Sequence, residues 1–134
     1  MIVLDRDILA RTTGKDPDRS ILSHLQRYSQ EEWTISAVVA WESYKASSGR
    51  SQMLRTQRVL KETFDRTLDL TDDVALEAAY LDEKLGDQDV SLGAADLLNL
   101  ATAHEAGATF VTHNSRDFDK SPIHELTDID IIVS

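Results

Sequence analysis

Cysteine is absent from the chain. That excludes a disulfide, a zinc–thiolate site and a cysteine nucleophile, so any bound metal must be held by oxygen or imidazole. Imidazole is a poor prospect, because His24, His104, His113 and His124 show no metal-ligand spacing. His24, His104 and His124 are expected at the surface, with His113 a neighbour of the candidate site described below. Long apolar runs are also missing: none approaches the roughly 18 to 20 residues of a membrane span. Met1-Ile2-Val3-Leu4 is followed at once by Asp5-Arg6-Asp7, unlike a signal peptide, and the expectation is a soluble cytoplasmic protein. Basic residues are scarce as well, 14 against 24 acidic ones for a formal net charge of -10. The chain lacks the basic footprint expected of a nucleic-acid binder relying on phosphate contacts, so a nucleic-acid substrate would have to be held by metal and a local group of arginines.

What is present is ordinary globular composition. With 134 residues, 41% of them hydrophobic, the chain is expected to form one domain over 1–134 with a real core. No repeat, linker or low-complexity segment interrupts it. Aspartate outnumbers glutamate 16 to 8 and arginine outnumbers lysine 9 to 5, a bias that suits either a high-salt interior or simple solubility.

Residues 1–4 form a short apolar run with β-branched members, the pattern of a buried strand, after which the chain turns at Asp5. Asp16-Pro17-Asp18 marks a helix start, and Ile21, Leu22, Leu25 and Tyr28 carry helical spacing to about Gln30. Trp33-Thr34-Ile35 is strand-like, Ser36 is a good N-cap for a helix through Lys45, and Gly49 is its expected end. In the next segment Arg50, Arg55, Arg58 and Lys61 alternate with Met53, Leu54, Val59, Leu60 and Phe64, the pattern of an amphipathic helix. Residues 67–70 read as a strand, and Thr71 caps a helix expected to turn Val74, Ala75, Ala78, Ala79 and Leu81 inward. After a loop at 86–89 comes a helix that closes at Gly107, then strands at 109–112 and 129–133. Strands separated by helical segments imply a three-layer α/β/α sandwich with a mostly parallel sheet of about five strands.

The helix near residues 92–103 carries an oddity. Asp96 shares its face with Leu92, Leu100 and Ala103, and an ionised carboxylate there is costly unless a cation or several donors meet it. In open parallel sheets functional groups gather beyond the carboxyl ends of the strands. Asp5 lies just past the first strand, Asn114 and Asp117 just past the fourth, and Glu42 on the helix after the second. These residues can converge with Asp96 at one edge. Clustered carboxylates repel one another without a cation, and Mg2+ or Mn2+ takes oxygen ligands. The chemistry that uses such a set is metal-assisted phosphodiester hydrolysis, in which the ion lowers the pKa of a water and polarises the phosphate. Taken singly, each residue has an ordinary role open to it: Asp5 or Asp117 as a local cap, Glu42 at a surface, Asp96 at a helix dipole.

In order along the chain, Met1-Ile2-Val3-Leu4-Asp5, Ile35-Ser36-Ala37-Val38-Val39-Ala40-Trp41-Glu42, the 94–103 segment and Phe110-Val111-Thr112-His113-Asn114-Ser115-Arg116-Asp117-Phe118 resemble the four motifs of the PIN domain ribonucleases, especially VapC-type toxins of toxin–antitoxin pairs. The resemblance spans essentially the whole chain. It implies an α/β/α fold and a Mg2+- or Mn2+-dependent endoribonuclease acting on RNA, with a cognate antitoxin and a homodimeric state. It implies Asp5, Glu42, Asp96 and Asp117 as catalytic residues, Asp5 and Asp96 foremost among the metal ligands, and Asp7, Ser36, Thr112 and Asn114 in support. The chain departs from the family at Arg6, where a small hydroxyl residue is usual, and at Asn114, where many members carry Asp. Two alternatives are a PIN-like binding module without catalysis and a phosphotransferase resembling the haloacid dehalogenases, with Asp5 as nucleophile and Asp7 as acid/base.

Overall fold

The computed structural model describes residues 1–133; Ser134, the last residue of the expected unit, lies outside the described residues. Five strands form one sheet: β1 (Ile2–Leu4), β2 (Trp33–Ser36), β3 (Arg66–Leu68), β4 (Thr109–Thr112) and β5 (Ile129–Ile131). Their order is β3-β2-β1-β4-β5 and every pairing is parallel. Helices α1 (Arg6–Thr12), α2 (Arg19–Leu25), α3 (Ala37–Lys45), α4 (Arg50–Thr63), α5 (Asp72–Gly86), α6 (Ala94–Glu105), α7 (Ser115–Phe118) and α8 (Ser121–Leu126) connect them.

Alternation along the strands builds the two outer layers. Ile2 and Leu4 face one side with Ile35 and Val111, where Ile8, Ile21, Leu25, Val39 and Leu60 of α1 to α4 cover them. Val3 and Phe110 face the other, under Leu85, Leu100, Ala103 and Ile123 of α5, α6 and α8. Phe118 closes that side, its ring centroid 5.2 Å from that of Phe110. The three-layer α/β/α sandwich expected from the sequence is what forms, with a sheet that is wholly rather than mostly parallel.

The differences lie in short elements and outward faces. Residues 6–12 do not merely turn but form α1, held by only two buried apolar side chains, Ile8 and Leu9. Gly49, with φ 82°, precedes α4 instead of closing α3, which ends at Lys45 with Ala46 as its C-cap. On α4 only Leu60 is buried, while Met53, Leu54 and Val59 stand exposed among the basic residues. Ala75 and Ala79 are outward; α5 buries Val74, Ala78, Leu81 and Leu85 instead. His24 is mostly enclosed, its Nε2 2.8 Å from Asp130 Oδ2, which also accepts from the Tyr28 hydroxyl. Among the described residues no helix is long and apolar enough to cross a membrane.

Order determines where function can sit. The chain runs outward from β1 through β2 to β3, then crosses back to lay β4 on the opposite side of β1. Between β1 and β4 the direction of winding reverses, and loops leaving the two strand ends diverge to open a crevice.

Candidate active site

Asp5 is the first residue beyond β1, at the mouth of that crevice, and it is almost fully buried at 6% exposure. Its carboxylate is fixed from three sides. Oδ1 accepts from the Arg6 backbone N–H at 2.8 Å and from Asn99 Nδ2 at 3.0 Å; Oδ2 accepts from the Thr112 hydroxyl at 2.7 Å. Asp5 is therefore the N-cap of α1 and also the centre of a polar network linking β1, β4 and α6. Thr112 Oγ1 in turn accepts from the Asn114 N–H at 3.0 Å, so β4 ends in a fixed polar hook.

Behind Asp5 the network continues inward. Ser36 donates its hydroxyl to Asn99 Oδ1 at 2.7 Å, and Ser36 Oγ itself accepts from the Val39 N–H at 3.1 Å, which makes Ser36 the cap of α3 as its residue type suggested. Asn99 is 1% exposed with both ends of its amide satisfied. The sequence reading missed it. Its signal was an amide three residues after Asp96 in the otherwise apolar stretch 97–101.

The open side of the crevice is acidic. Asp5, Arg6, Asp7, Ala10, Glu42, Asp96 and Asn114 line a cleft of about 360 Å3. Asp7, on the first turn of α1, is half-buried and its Oδ1 accepts from the His113 N–H at 3.3 Å. Asp96 lies in the first turn of α6, where the helix emerges beyond the sheet, and is partly exposed; Asn99, one turn deeper, takes the fully buried position. Asn114 caps α7 through Oδ1, which accepts from the Asp117 N–H at 3.1 Å, while its Nδ2 donates to Asp117 Oδ2 at 2.9 Å. Asn114 and Asp117 are thus bonded to each other, with Asn114 lining the cleft.

Charge repulsion in this cluster is expressed in proton affinity. Burial, and then the neighbouring Asp7 carboxylate, pushes Asp5 up to about 7, against the pull of its Thr112 and Arg6 hydrogen bonds. Asp96 is raised by burial and then by the charges of Asp117, Glu42 and Asp7; Asp7 is raised mainly by burial. Five carboxylates therefore feel one another in a small volume, and Arg6 is solvent-exposed at the rim.

Whether these residues suit a divalent ion is a question of donor type and count. All are oxygen donors, as the absence of cysteine required, and Asp5 reaches the cleft with its oxygens already oriented. Among the described residues no three His, Asp or Glu side chains are arranged to hold an ion together. A small hard ion such as Mg2+ keeps several waters and needs only one or two carboxylates.

The fold and the crevice define a class: a parallel α/β sandwich with an oxygen-donor acidic cleft at its switch point. The chain belongs to the PIN domain family, whose model matches residues 2–122. No curated protein gives a significant match. Among solved structures, the chain resembles VapBC2 from Rickettsia felis bound to a promoter DNA fragment, with 23% identity, 99% of this chain and 100% of that one covered, and a TM-score of 0.75. It resembles DNA-bound VapBC from Salmonella typhimurium, at 19% identity, 97% and 96% coverage and a TM-score of 0.74. A toxin–antitoxin complex from Klebsiella pneumoniae matches at 23%, 97% and 96%, with a TM-score of 0.70. At such identities the likeness shows the shared fold.

Proposed function

We propose that the protein is a metal-dependent endoribonuclease and the toxin of a toxin–antitoxin pair. The observation that carries this reading is the gathering of Asp5, Asp7, Glu42 and Asp96 around one open cleft at the β1/β4 switch point. Asp5 and Asp96 would hold a Mg2+ or Mn2+ ion, with Glu42 and Asp117 completing the acidic site. When bound, the ion would supply an activated water and neutralise charge on the scissile phosphate. Asp5 offers a carboxylate pre-oriented by Asn99 and Thr112, so little rotamer freedom is lost on binding. Glu42 and Asp96, less constrained, orient water or accept its proton. Arg6, exposed at the rim, meets a substrate phosphate next to the one attacked, a role that an otherwise acidic chain has few residues to fill.

Domain 1–134 acts as one catalytic unit in this reading, a second copy completes a homodimer, and a cognate antitoxin blocks it. Exposed Met53, Leu54 and Val59, set among Arg50, Arg55, Arg58 and Lys61 on α4, support a protein partner with apolar and acidic side chains. The fold's likeness to chains of toxin–antitoxin complexes supports the same assignment.

The test is cleavage of structured RNAs with Mg2+ or Mn2+, comparing wild type with Asp96→Asn at low and multimolar salt. Wild type is expected to cut and the variant to lose at least about 100-fold in rate. Equal activity in the two proteins would sink the metal-nuclease mechanism.

A further inference from the structure

Position 99 faces the core, between Leu98 and the buried run Leu100-Ala101-Thr102-Ala103. Leucine there would cost no desolvation, whereas an amide is tolerated only with its polar atoms paired. Both ends of the Asn99 amide are paired, and to partners on different elements. Nδ2 donates to Asp5 at the end of β1. Oδ1 accepts from Ser36, the cap of α3, whose second turn carries Glu42. Asn99 itself lies on α6 one turn after Asp96. One side chain therefore joins the three elements that bear Asp5, Glu42 and Asp96, three of the four carboxylates that line the cleft.

Those carboxylates carry like charge around one cleft and oppose being held together. Hydrophobic packing alone does not fix the rotation of a carboxylate or the axis of a cap; directed bonds do. We propose that Asn99 is a positioning residue that braces β1, α3 and α6 around the cleft, by donating to Asp5 and accepting from Ser36, and so pre-arranges the site for a divalent cation. This rests on the metal reading above and deepens it. The brace explains why Ser36 is more than a helix cap: its oxygen takes the Val39 N–H while its proton is spent on Asn99, so the start of α3 is tied to α6.

The experiment is Mn2+ titration of the intact protein, reading free ion by electron paramagnetic resonance, beside thermal midpoints in EDTA. Asn99→Leu removes both bonds and Ser36→Ala one, while Ser36→Thr keeps the hydroxyl. Asn99→Leu and Ser36→Ala are expected to weaken Mn2+ binding at least about 10-fold, with Ser36→Thr near wild type. The metal-free midpoint of Asn99→Leu is expected to fall by several degrees, because the buried Ser36 hydroxyl and Asp5 Oδ1 each lose a partner, so folding of the variant is confirmed before the titration. Thr71→Ala, which removes the cap of α5 far from the cleft, controls for cap loss and is expected to bind Mn2+ normally. Wild-type affinity in both Asn99→Leu and Ser36→Ala overturns the brace. Should Asn99→Leu not fold, equal affinity of Ser36→Ala and Thr71→Ala overturns it instead. Wild type that binds no Mn2+ removes the metal reading and the brace with it. Wild type that binds Mn2+ but cuts no RNA strikes only the nuclease reading.

Discussion

Asp5 concentrates the conflict of the site in one side chain. Its folded pKa of about 7 stands above its ordinary 3.8, so between those values the folded chain holds a proton that the unfolded chain has released. Stability contributed by neutral Asp5 is thus present in full below about pH 4 and is lost as pH rises through 7. The loss amounts to at most about 4 kcal/mol. Asp5→Asn should remove this part of the slope, leaving the like-signed contributions of Asp7 and Asp96. Urea unfolding in EDTA between pH 4 and 8 measures it, and parallel slopes for wild type and Asp5→Asn would refute it. The substitution is close to isosteric: Asn Oδ1 keeps the Asn99 and Arg6 donors, and only the Thr112 hydroxyl must find a new acceptor. Asp5 was legible in the sequence because an aspartate after a buried apolar run needs a purpose. Asn99 was not, because an amide in a helix has no charge to flag it, and its two partners are 94 and 63 residues away.

At the scale of elements, the sequence spoke clearly where a cap and a periodic stripe agreed. Ser36 and Thr71 cap α3 and α5 as expected, and β4 occupies the expected residues 109–112. It spoke poorly for α1 and α8, which have seven and six residues, too few for periodicity to separate helix from turn. The apolar residues of α4 fit helical spacing, yet Met53, Leu54 and Val59 stand exposed and the helix meets the core through Leu60, with Phe64 just beyond its end. The caps provide an element-scale prediction. Thr71 Oγ1 accepts from the Val74 N–H at 3.2 Å, and Thr71→Ala should cost about 1 kcal/mol of unfolding free energy. Because α5 packs chiefly on α6 and lines no part of the cleft, RNA cleavage under stabilising conditions should stay within about twofold of wild type. A large loss of cleavage in a folded Thr71→Ala protein would show that α5 positions the site, contrary to this account.

For the molecule as a whole, a net charge of -10 and the acidic cleft are separate sources of repulsion that respond to different ions. Surface carboxylates act on one another through water, and about 1 M KCl shortens the Debye length to roughly 3 Å, which silences them. Carboxylates in the cleft are partly buried, so mobile ions screen them less completely, and a bound cation would relieve them. Two increments in thermal midpoint should therefore appear. Raising KCl from 0.05 to 1 M should stabilise wild type and Asp96→Asn alike, since Asp96 is one of 24 acidic residues. Adding millimolar Mg2+ at constant ionic strength should stabilise wild type by RT ln(1 + [Mg2+]/Kd), about 1.4 kcal/mol at tenfold saturation, and Asp96→Asn hardly at all. Scanning calorimetry of the two proteins over both titrations separates the terms. If Mg2+ raised both midpoints equally, its effect would be that of any added ion, and the cleft would have no cation of its own.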